Sequence, residues 1–272
     1  MLRGFYTAAA GMISQQRRQE MLSNNLANSQ TPGYKADQSS LRAFPEMLMH
    51  RIGKADGPVP VRDSTRIGGL NTGAYMQETM PNFIQGDLTE TGNNSDAALI
   101  AGTLPVNEEG LQAGLFFTVG AGDELRYTRN GNFAIDANGR LTTNEGFMVL
   151  GTDGEPIELN SNNFTIDENG IVTENGIVAG SLNIALSRNP NELVKEGNGL
   201  FRNDGQPLEN VLEAGDASFT VKQGFLERSN VDLQQTMTDM MTAYRAFEAN
   251  QKVLQAYDRS MDKAANEVGR LT

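Results

Sequence analysis

Apolar side chains recur every three or four residues near the N-terminus, which predicts a helix over residues 3–28. One face of this helix would carry Phe5, Ala8, Met12, Gln15, Gln19, Leu22 and Leu26. Thr31-Pro32-Gly33 predicts its end, because proline biases the preceding residue away from helical geometry and glycine permits a turn. Since so thin a stripe does not hold a helix in water by itself, we expect this helix to have a packing partner.

The last forty residues carry a longer stripe of the same kind. Ser229-Asn230-Val231-Asp232 is typical of a helix-capping sequence. An unbroken 3-4 spacing follows through Met237, Met240, Tyr244, Phe247, Gln251, Leu254, Asp258, Met261, Ala265 and Val268. This spacing is typical of a coiled-coil seam of more than four heptads. Two interpretations stay open: the helix packs on its own domain, or the terminal helices pair with each other and with other copies of the chain.

Between the two ends the pattern changes to short β-prone runs separated by turns. Four Asn-Gly pairs, the strongest short hairpin signal, begin at Asn130, Asn138, Asn169 and Asn175. The runs between them are 115–119, 133–135, 147–150, 164–166, 171–173 and 182–186. Turns at intervals of about 8–12 residues predict an antiparallel domain of sandwich or barrel type.

Together these patterns predict an α+β protein. Its long N- and C-terminal helices would pair in a coiled-coil-like arrangement, and a mainly antiparallel β domain would lie between them in sequence. The predicted boundaries are 1–35 and 230–272 for the terminal helical domain, 36–72 for an extended connector, and 73–229 for the central β domain.

Composition narrows the possible functions. The chain of 272 residues has a net charge of −12, which argues against nucleic acid as a partner because phosphate binding needs clustered Lys and Arg. It contains no cysteine and a single histidine, His50, which disfavours thiol chemistry, His-ligated metals and a Ser-His-Asp triad. No apolar run approaches the ~18 residues of a membrane helix, and the first residues lack the layout of a secretory signal. We therefore predict a protein without catalytic residues, cofactor, metal or membrane insertion.

The end of the first predicted helix carries an unusual asparagine cluster. Asn24, Asn25 and Asn28 lie where a lone surface helix favours Glu or Lys. Their amides would bond to defined neighbours, or they would simply cap a frayed helix end.

This cluster, with Thr31, Gly33, Tyr34 and Lys35, resembles the N-terminal signature of bacterial flagellar rod and hook proteins. Further blocks resemble the same family in the same order: Gln85-Gly86-Asp87-Leu88, Tyr127-Thr128-Arg129-Asn130-Gly131-Asn132-Phe133, Gly224-Phe225-Leu226-Glu227 with Ser229-Asn230-Val231, and Arg245-Ala246-Phe247-Glu248-Ala249-Asn250. An apparent insertion around 103–115 departs from the family pattern. The chain looks most like the rod-type hook–basal-body proteins of Gram-positive bacteria, which are related to the distal rod subunit.

The resemblance implies a structural subunit of the flagellar basal-body rod, exported by the flagellar type III apparatus. Such a subunit polymerises helically into the drive shaft between motor and hook, beside other rod and hook subunits, with its terminal helices lining the inner tube. The assembly interface would contain Phe5, Met12, Asn24, Asn25, Leu26, Asn28, Met237, Met240, Tyr244, Phe247, Leu254 and Met261. The alternatives are a hook subunit or other flagellar axial protein, and more distantly an acidic wall-carbohydrate-binding protein with an oligomerising helical stalk. The absence of Trp disfavours the carbohydrate-binding alternative.

Overall fold

The computed structural model describes residues 2–54, 62–107, 110–122, 124–161 and 163–268. Its contacts group the chain into two units. Unit 1 consists of Met1–Leu26, Asp37–Met80 and Leu233–Thr272, and unit 2 consists of Ala27–Ala36 and Pro81–Asp232. The domain boundaries predicted from the sequence stay a prediction, and residues 1, 55–61, 108–109, 123, 162 and 269–272 within those ranges lie outside the described residues.

The helices are few and the strands are short. The α-helices are α1 (Leu2–Ala27), α2 (Val211–Ala214) and α3 (Leu233–Lys263), with a π-helical turn at Ala264–Val268 after α3. The strands are β1 (Asp37–Gln38), β2 (Leu41–Ala43), β3 (Met47–Lys54), β4 (Arg62–Leu70), β5 (Ala74–Met76), β6 (Met80–Pro81), β7 (Leu88–Glu90), β8 (Ala97–Ala101), β9 (Gly114–Ala121), β10 (Glu124–Thr128), β11 (Phe133–Ile135), β12 (Leu141–Thr143), β13 (Met148–Val149), β14 (Phe164–Ile166), β15 (Ile171–Glu174), β16 (Ile177–Ser181), β17 (Ile184–Ser187), β18 (Val194–Lys195), β19 (Leu200–Arg202), β20 (Glu209–Asn210), β21 (Phe219–Gln223) and β22 (Phe225–Glu227). This confirms the α+β class, with a mostly antiparallel β-rich region between an N-terminal and a C-terminal helix.

In unit 1, α1 and α3 contact each other in opposite directions. Gly4 lies against the Tyr257 hydroxyl with no room for a Cβ atom, and a Cβ on Gly11 would lie 3.0 Å from Nδ2 of Asn250. Further along, Met21 and Leu22 of α1 join the buried Ala243 of α3 in one apolar cluster. Residue numbers therefore rise along one helix as they fall along the other, and small residues allow the close approach.

The rest of unit 1 is built from two-stranded pieces. The β3 and β4 strands form an antiparallel hairpin whose register shifts between Met49 and His50, and β2 pairs with β5. Thr7 of α1 donates from Oγ1 to the carbonyl oxygen of Thr72 at 3.1 Å. The range 36–72, predicted to be an extended connector, thus contains strands and ends in a residue that bonds to the first helix.

Unit 2 contains a nine-stranded antiparallel sheet centred on β9. This strand pairs with β10 along one edge and with β13 and β17 along the other. The apolar core beneath it includes Phe117, Val119, Leu141 and Val172, each with almost no exposed surface. A separate sheet is formed by β14, β15 and β16.

Three of the four Asn-Gly pairs connect paired strands as predicted. Asn138-Gly139 joins β11 to β12, Asn169-Gly170 joins β14 to β15, and Asn175-Gly176 joins β15 to β16. Asn175 and Gly176 have φ of 51° and 81°, the left-handed values that a tight hairpin turn requires.

The hairpin predicted at Asn130-Gly131 is wrong, because β10 pairs with β9 and β19 whereas β11 pairs with β12. Gly131 serves a different purpose there. Its carbonyl oxygen accepts from the Ala97 amide at 3.0 Å, and a Cβ atom on Gly131 would overlap the Ala97 carbonyl. The glycine is therefore needed for close backbone approach rather than for a turn.

Within the described part of the chain, neither long helix has the length of apolar sequence that crossing a bilayer requires.

Candidate assembly face and buried ion cluster

The first half of α3 presents an apolar face that its own chain leaves open. Leu233, Met237, Met241 and Tyr244 are 45%, 51%, 59% and 60% exposed. Steps of four, four and three residues place these side chains on one side of the helix. We call these four residues the α3 outer face.

The residues of α3 that pack inward lie one position before two members of the predicted seam. Thr236 and Ala243 are buried, whereas their neighbours Met237 and Tyr244 are exposed. Met240, which belongs to the predicted seam, packs against the cluster formed by Met21, Leu22 and Ala243. The 3-4 spacing therefore covers two adjacent faces, one toward α1 and one toward solvent.

The residues predicted for the interface fall into three classes of exposure. Asn25 is buried; Asn24, Met237 and Tyr244 are exposed; and Phe5, Met12, Leu26, Asn28, Met240, Phe247, Leu254 and Met261 are half-buried. Their role in assembly stays a prediction.

A groove of about 390 Å³ runs between α1 and α3 next to the outer face. Its lining residues are Gln19, Ser23, Met240, Met241, Tyr244 and Arg245. Nε2 of Gln19 is buried and finds no hydrogen-bond acceptor among the described residues. Since a buried amide without a partner costs free energy, the groove suits an occupant that brings an acceptor.

Asn25 and Asn28 of the asparagine cluster illustrate its bonds to defined neighbours. Asn25 donates from Nδ2 to the Asp37 carbonyl at 2.8 Å, and its Oδ1 accepts from the Asp37 amide at 2.9 Å. Asn28 accepts from the Thr31 hydroxyl at 3.2 Å. Asn25 therefore fixes the first residue of β1 to the helix end, which favours the defined-neighbour interpretation over a frayed end.

Unit 2 contains a buried cluster of three charged side chains. Glu227, at the end of β22, receives Lys35 Nζ on Oε1 at 2.6 Å and Arg129 Nε on Oε2 at 2.7 Å. The Glu227 side chain is only 2% exposed, and those of the two cations are nearly as buried. The cluster therefore holds two positive charges against one negative charge away from water.

Arg129 and Lys35 also make hydrogen bonds to backbone carbonyls. Arg129 donates from its two terminal nitrogens to the carbonyls of Leu115 and Leu99, both at 2.8 Å. Lys35 donates to the Ile84 carbonyl at 2.8 Å, which places a partial negative charge beside the second cation. Such hydrogen bonds help to make a buried ionic group tolerable.

Burial and the opposite charge within the cluster act in opposite directions on the pKa values of Glu227 and Lys35. Burial alone raises the pKa of Glu227, but the charges of Arg129 and Lys35 and the hydrogen bonds to its carboxylate outweigh this, so its pKa lies below the usual value. The pKa of Lys35 is also lowered, because burial disfavours its charge more than Glu227 favours it and Arg129 adds repulsion.

The sequence motifs predict no role for this cluster as a unit. Lys35, Arg129 and Glu227 appear in three separate family blocks, 94 and 98 positions apart, and nothing in a single sequence links them. The signal that the sequence offered for the cluster was one charged residue within each of these three blocks.

His50, the single histidine, is exposed and lies on β3. Among the described residues no group of three or more His, Cys, Asp or Glu side chains is arranged to hold a metal ion.

Three family models match separate parts of the chain. They are the flagella basal body rod protein model at residues 5–35, the flagellar hook protein FlgE/F/G D1 domain at 112–174, and the flagellar basal body rod FlgEFG protein C-terminal model at 222–267. The three charged residues of the buried cluster fall one in each matched segment.

Curated relatives match over the whole length. The chain is 48% identical to the flagellar hook-basal body complex protein FlhO of Bacillus subtilis, covering 100% of both chains. It is 30% identical to the flagellar basal-body rod protein FlgG of Borreliella burgdorferi, covering 98% of each chain. It is also 30% identical to the hook-basal body complex protein FlhP of Bacillus subtilis, covering 96% of this chain and 97% of that protein.

Proposed function

The chain belongs to the family of flagellar basal-body rod and hook–basal-body proteins, and we propose that it polymerises into the rod through its terminal helices. It is a structural subunit of the flagellar basal body, in a family whose members assemble with other flagellar axial subunits. The observation that carries the proposal is the α3 outer face, an apolar surface left open on a helix whose other face is already packed.

The two faces of α3 make different contacts in this proposal. The inward face of α3, with Ala243, pairs with α1 of the same chain in a coiled-coil-like manner. The outer face, with Met237 and Tyr244, then receives a helix of a second copy. Gln19 in the adjoining groove finds its missing acceptor on that copy.

Burial of the outer face contributes favourable free energy to such a contact, and the contribution recurs with each added copy. Fully burying one large apolar side chain contributes about 1.5–3 kcal/mol, and the outer face offers four that are roughly half exposed. In this proposal one copy contributes a different surface from the next, and such a contact extends into a helical filament when its rotation does not close a ring.

The charge distribution supports a rod in which the terminal helices line the inside and the β-rich unit faces outward. Unit 1 carries 13 Lys and Arg against 11 Asp and Glu, whereas unit 2 carries 9 against 23. Neighbouring copies of so acidic a unit repel each other and stay solvated. The nearly neutral unit 1 lacks this obstacle to close packing.

A rod subunit is proposed in preference to a hook subunit because relatives with rod in their names match nearly the full length of the chain. Export by the flagellar type III apparatus, self-assembly beside other rod and hook subunits, and the absence of catalysis and of any cofactor belong to the same proposal. No observation on the described residues favours the alternative of a wall-carbohydrate-binding protein.

The decisive experiment places a carboxylate on the outer face. Tyr244→Asp should give soluble protein with an unchanged melting transition of unit 2, but cells expressing it should build no hook or filament. The matched control is Thr242→Asp, which adds the same charge at an exposed position two residues away, on another side of α3. Normal swimming in Tyr244→Asp cells would show that the outer face is not the polymerisation surface.

A further inference from the structure

The chain passes between the two units four times, and three of these passages meet one side chain of unit 2. The passages lie at residues 36–37, 80–81 and 232–233. Close to them in sequence are Ala36, Asn82 and Asn230, all within unit 2.

Asn230 bonds to both other segments through its side-chain amide. Its Oδ1 accepts from the Ala36 amide at 2.8 Å. Its Nδ2 donates to the carbonyl of Asn82 at 2.8 Å and to that of Ile84 at 3.0 Å. The triangle is closed by the Asn82 amide, which donates to the Ala36 carbonyl at 2.8 Å.

Asn230 lies within the capping sequence predicted over residues 229–232, but its side chain bonds elsewhere. Helix α3 begins only at Leu233, and the Asn230 amide is fully engaged with segments far away in sequence. Asn230 therefore links separate segments of the chain rather than bonding to the first turn of a helix.

The buried ion cluster anchors the same three segments a few residues away. Lys35 donates to the Ile84 carbonyl, and the carbonyl of Glu227 accepts from the Gly33 amide at 2.8 Å. The carboxylate of Glu227 accepts from the Gly86 amide at 2.9 Å. These three segments are therefore joined twice within unit 2, once by the ion cluster and once by Asn230.

We infer that Asn230 is a positioning residue that ties three of the four chain passages into one junction, so that they leave unit 2 as a single fixed group. This inference rests on the proposed function, in which a drive-shaft subunit must carry load between its helices and its β-rich unit. A junction held together by Asn230 shares that load among three segments of the chain. An amide is required because this position needs one acceptor and two donors, which a carboxylate of the same shape does not provide.

The test is amide hydrogen exchange on the purified full-length chain. Asn230→Asp keeps the size of the side chain but removes the Nδ2 donor and places a negative charge against two carbonyls. We expect exchange at Ala36 and Asn82 to rise together by about tenfold or more, the equivalent of a lost hydrogen bond to a charged or buried group. Exchange in β9 and β17, and the melting transition of unit 2, should stay as in the wild type.

The matched control is Asn203→Asp, whose amide makes one local bond to the Gln206 carbonyl. It should leave Ala36 and Asn82 protected. A rise confined to residues beside Asn230 would overturn the inference, since the passages would then not be coupled. A uniform rise throughout unit 2 would also overturn it, since Asn230 would then serve general stability. Both results are obtained on the unassembled chain and are independent of the Tyr244→Asp assembly experiment.

Discussion

Lys35 and Glu227 form a 2.6 Å ion pair across 192 positions of the sequence. One residue follows the N-terminal helix, and the other ends the last strand before the C-terminal helix. The pair therefore forms only when the two ends of unit 2 have come together around the sheet. Arg129 shares the same carboxylate, so the three charges connect the first, middle and last segments of unit 2.

Replacing the shared carboxylate should destabilise unit 2 severely. In Glu227→Gln, Lys35 and Arg129 stay buried beside each other without a counter-charge. Removing one partner of a buried ion pair costs about 3–5 kcal/mol, which urea unfolding of the purified protein would measure.

Glu124→Gln is the control for this change. Glu124 pairs with Arg126 at 2.6 Å, but its side chain is 69% exposed. Solvent screens such a pair, so we expect a much smaller loss than in Glu227→Gln. Equal losses in the two variants would mean that the buried cluster contributes no more than a surface pair.

The cost of Glu227→Gln should depend on pH. Because the pKa of Glu227 is lowered by folding, the folded state binds fewer protons than the unfolded state as pH rises toward the ordinary value of 4.5. The stabilisation from this carboxylate is therefore complete above pH 4.5 and is lost as pH falls through the lowered pKa. We expect the difference in unfolding free energy between wild type and variant to shrink over that acid range. A difference that stays constant from pH 7 to pH 3 would contradict this.

Gly33 should tolerate no side chain. Its φ is +69°, and a Cβ atom would lie 2.5 Å from the Arg129 carbonyl oxygen and from the Asn130 amide nitrogen. Gly33→Ala thus combines the left-handed backbone cost of about 1–2 kcal/mol with a clash against backbone atoms. Gly146→Ala is the control, since Gly146 has φ of +90° and open space around it. Thermal unfolding should show a clearly larger loss of stability for Gly33→Ala than for Gly146→Ala. Equal losses would show that the close approach of Gly33 to the Arg129 and Asn130 backbone does not matter for stability.

The elements of the fold were predictable where local chemistry decides them. The helix predicted over 3–28 is α1, and three Asn-Gly turns are hairpins because the φ values they need are local properties of those residues. At Asn130-Gly131 the same dipeptide serves a contact with Ala97, which lies 34 positions away. A local rule cannot distinguish a turn from a close approach to distant backbone.

The candidate site was less accessible to sequence reasoning, because its parts depend on which helix face is already occupied. The 3-4 spacing through Met237 and Tyr244 does not reveal that Thr236 and Ala243 form the packed face. The partners of Asn230 and Glu227 come from segments more than 90 residues away. Only the three-dimensional arrangement brings them together.

Variants at two neighbouring residues can distinguish the two faces of α3. Ala243 is 1% exposed and packs against Met21 and Leu22, whereas Tyr244 beside it is 60% exposed. Ala243→Asp puts a carboxylate into the helix pair, where its desolvation has no compensating partner. We expect the helical circular-dichroism signal of the isolated chain to melt at a lower temperature, while Tyr244→Asp melts as the wild type does. If both variants lowered the helical melting temperature equally, the outer face would be packed within the chain and unavailable to a second copy.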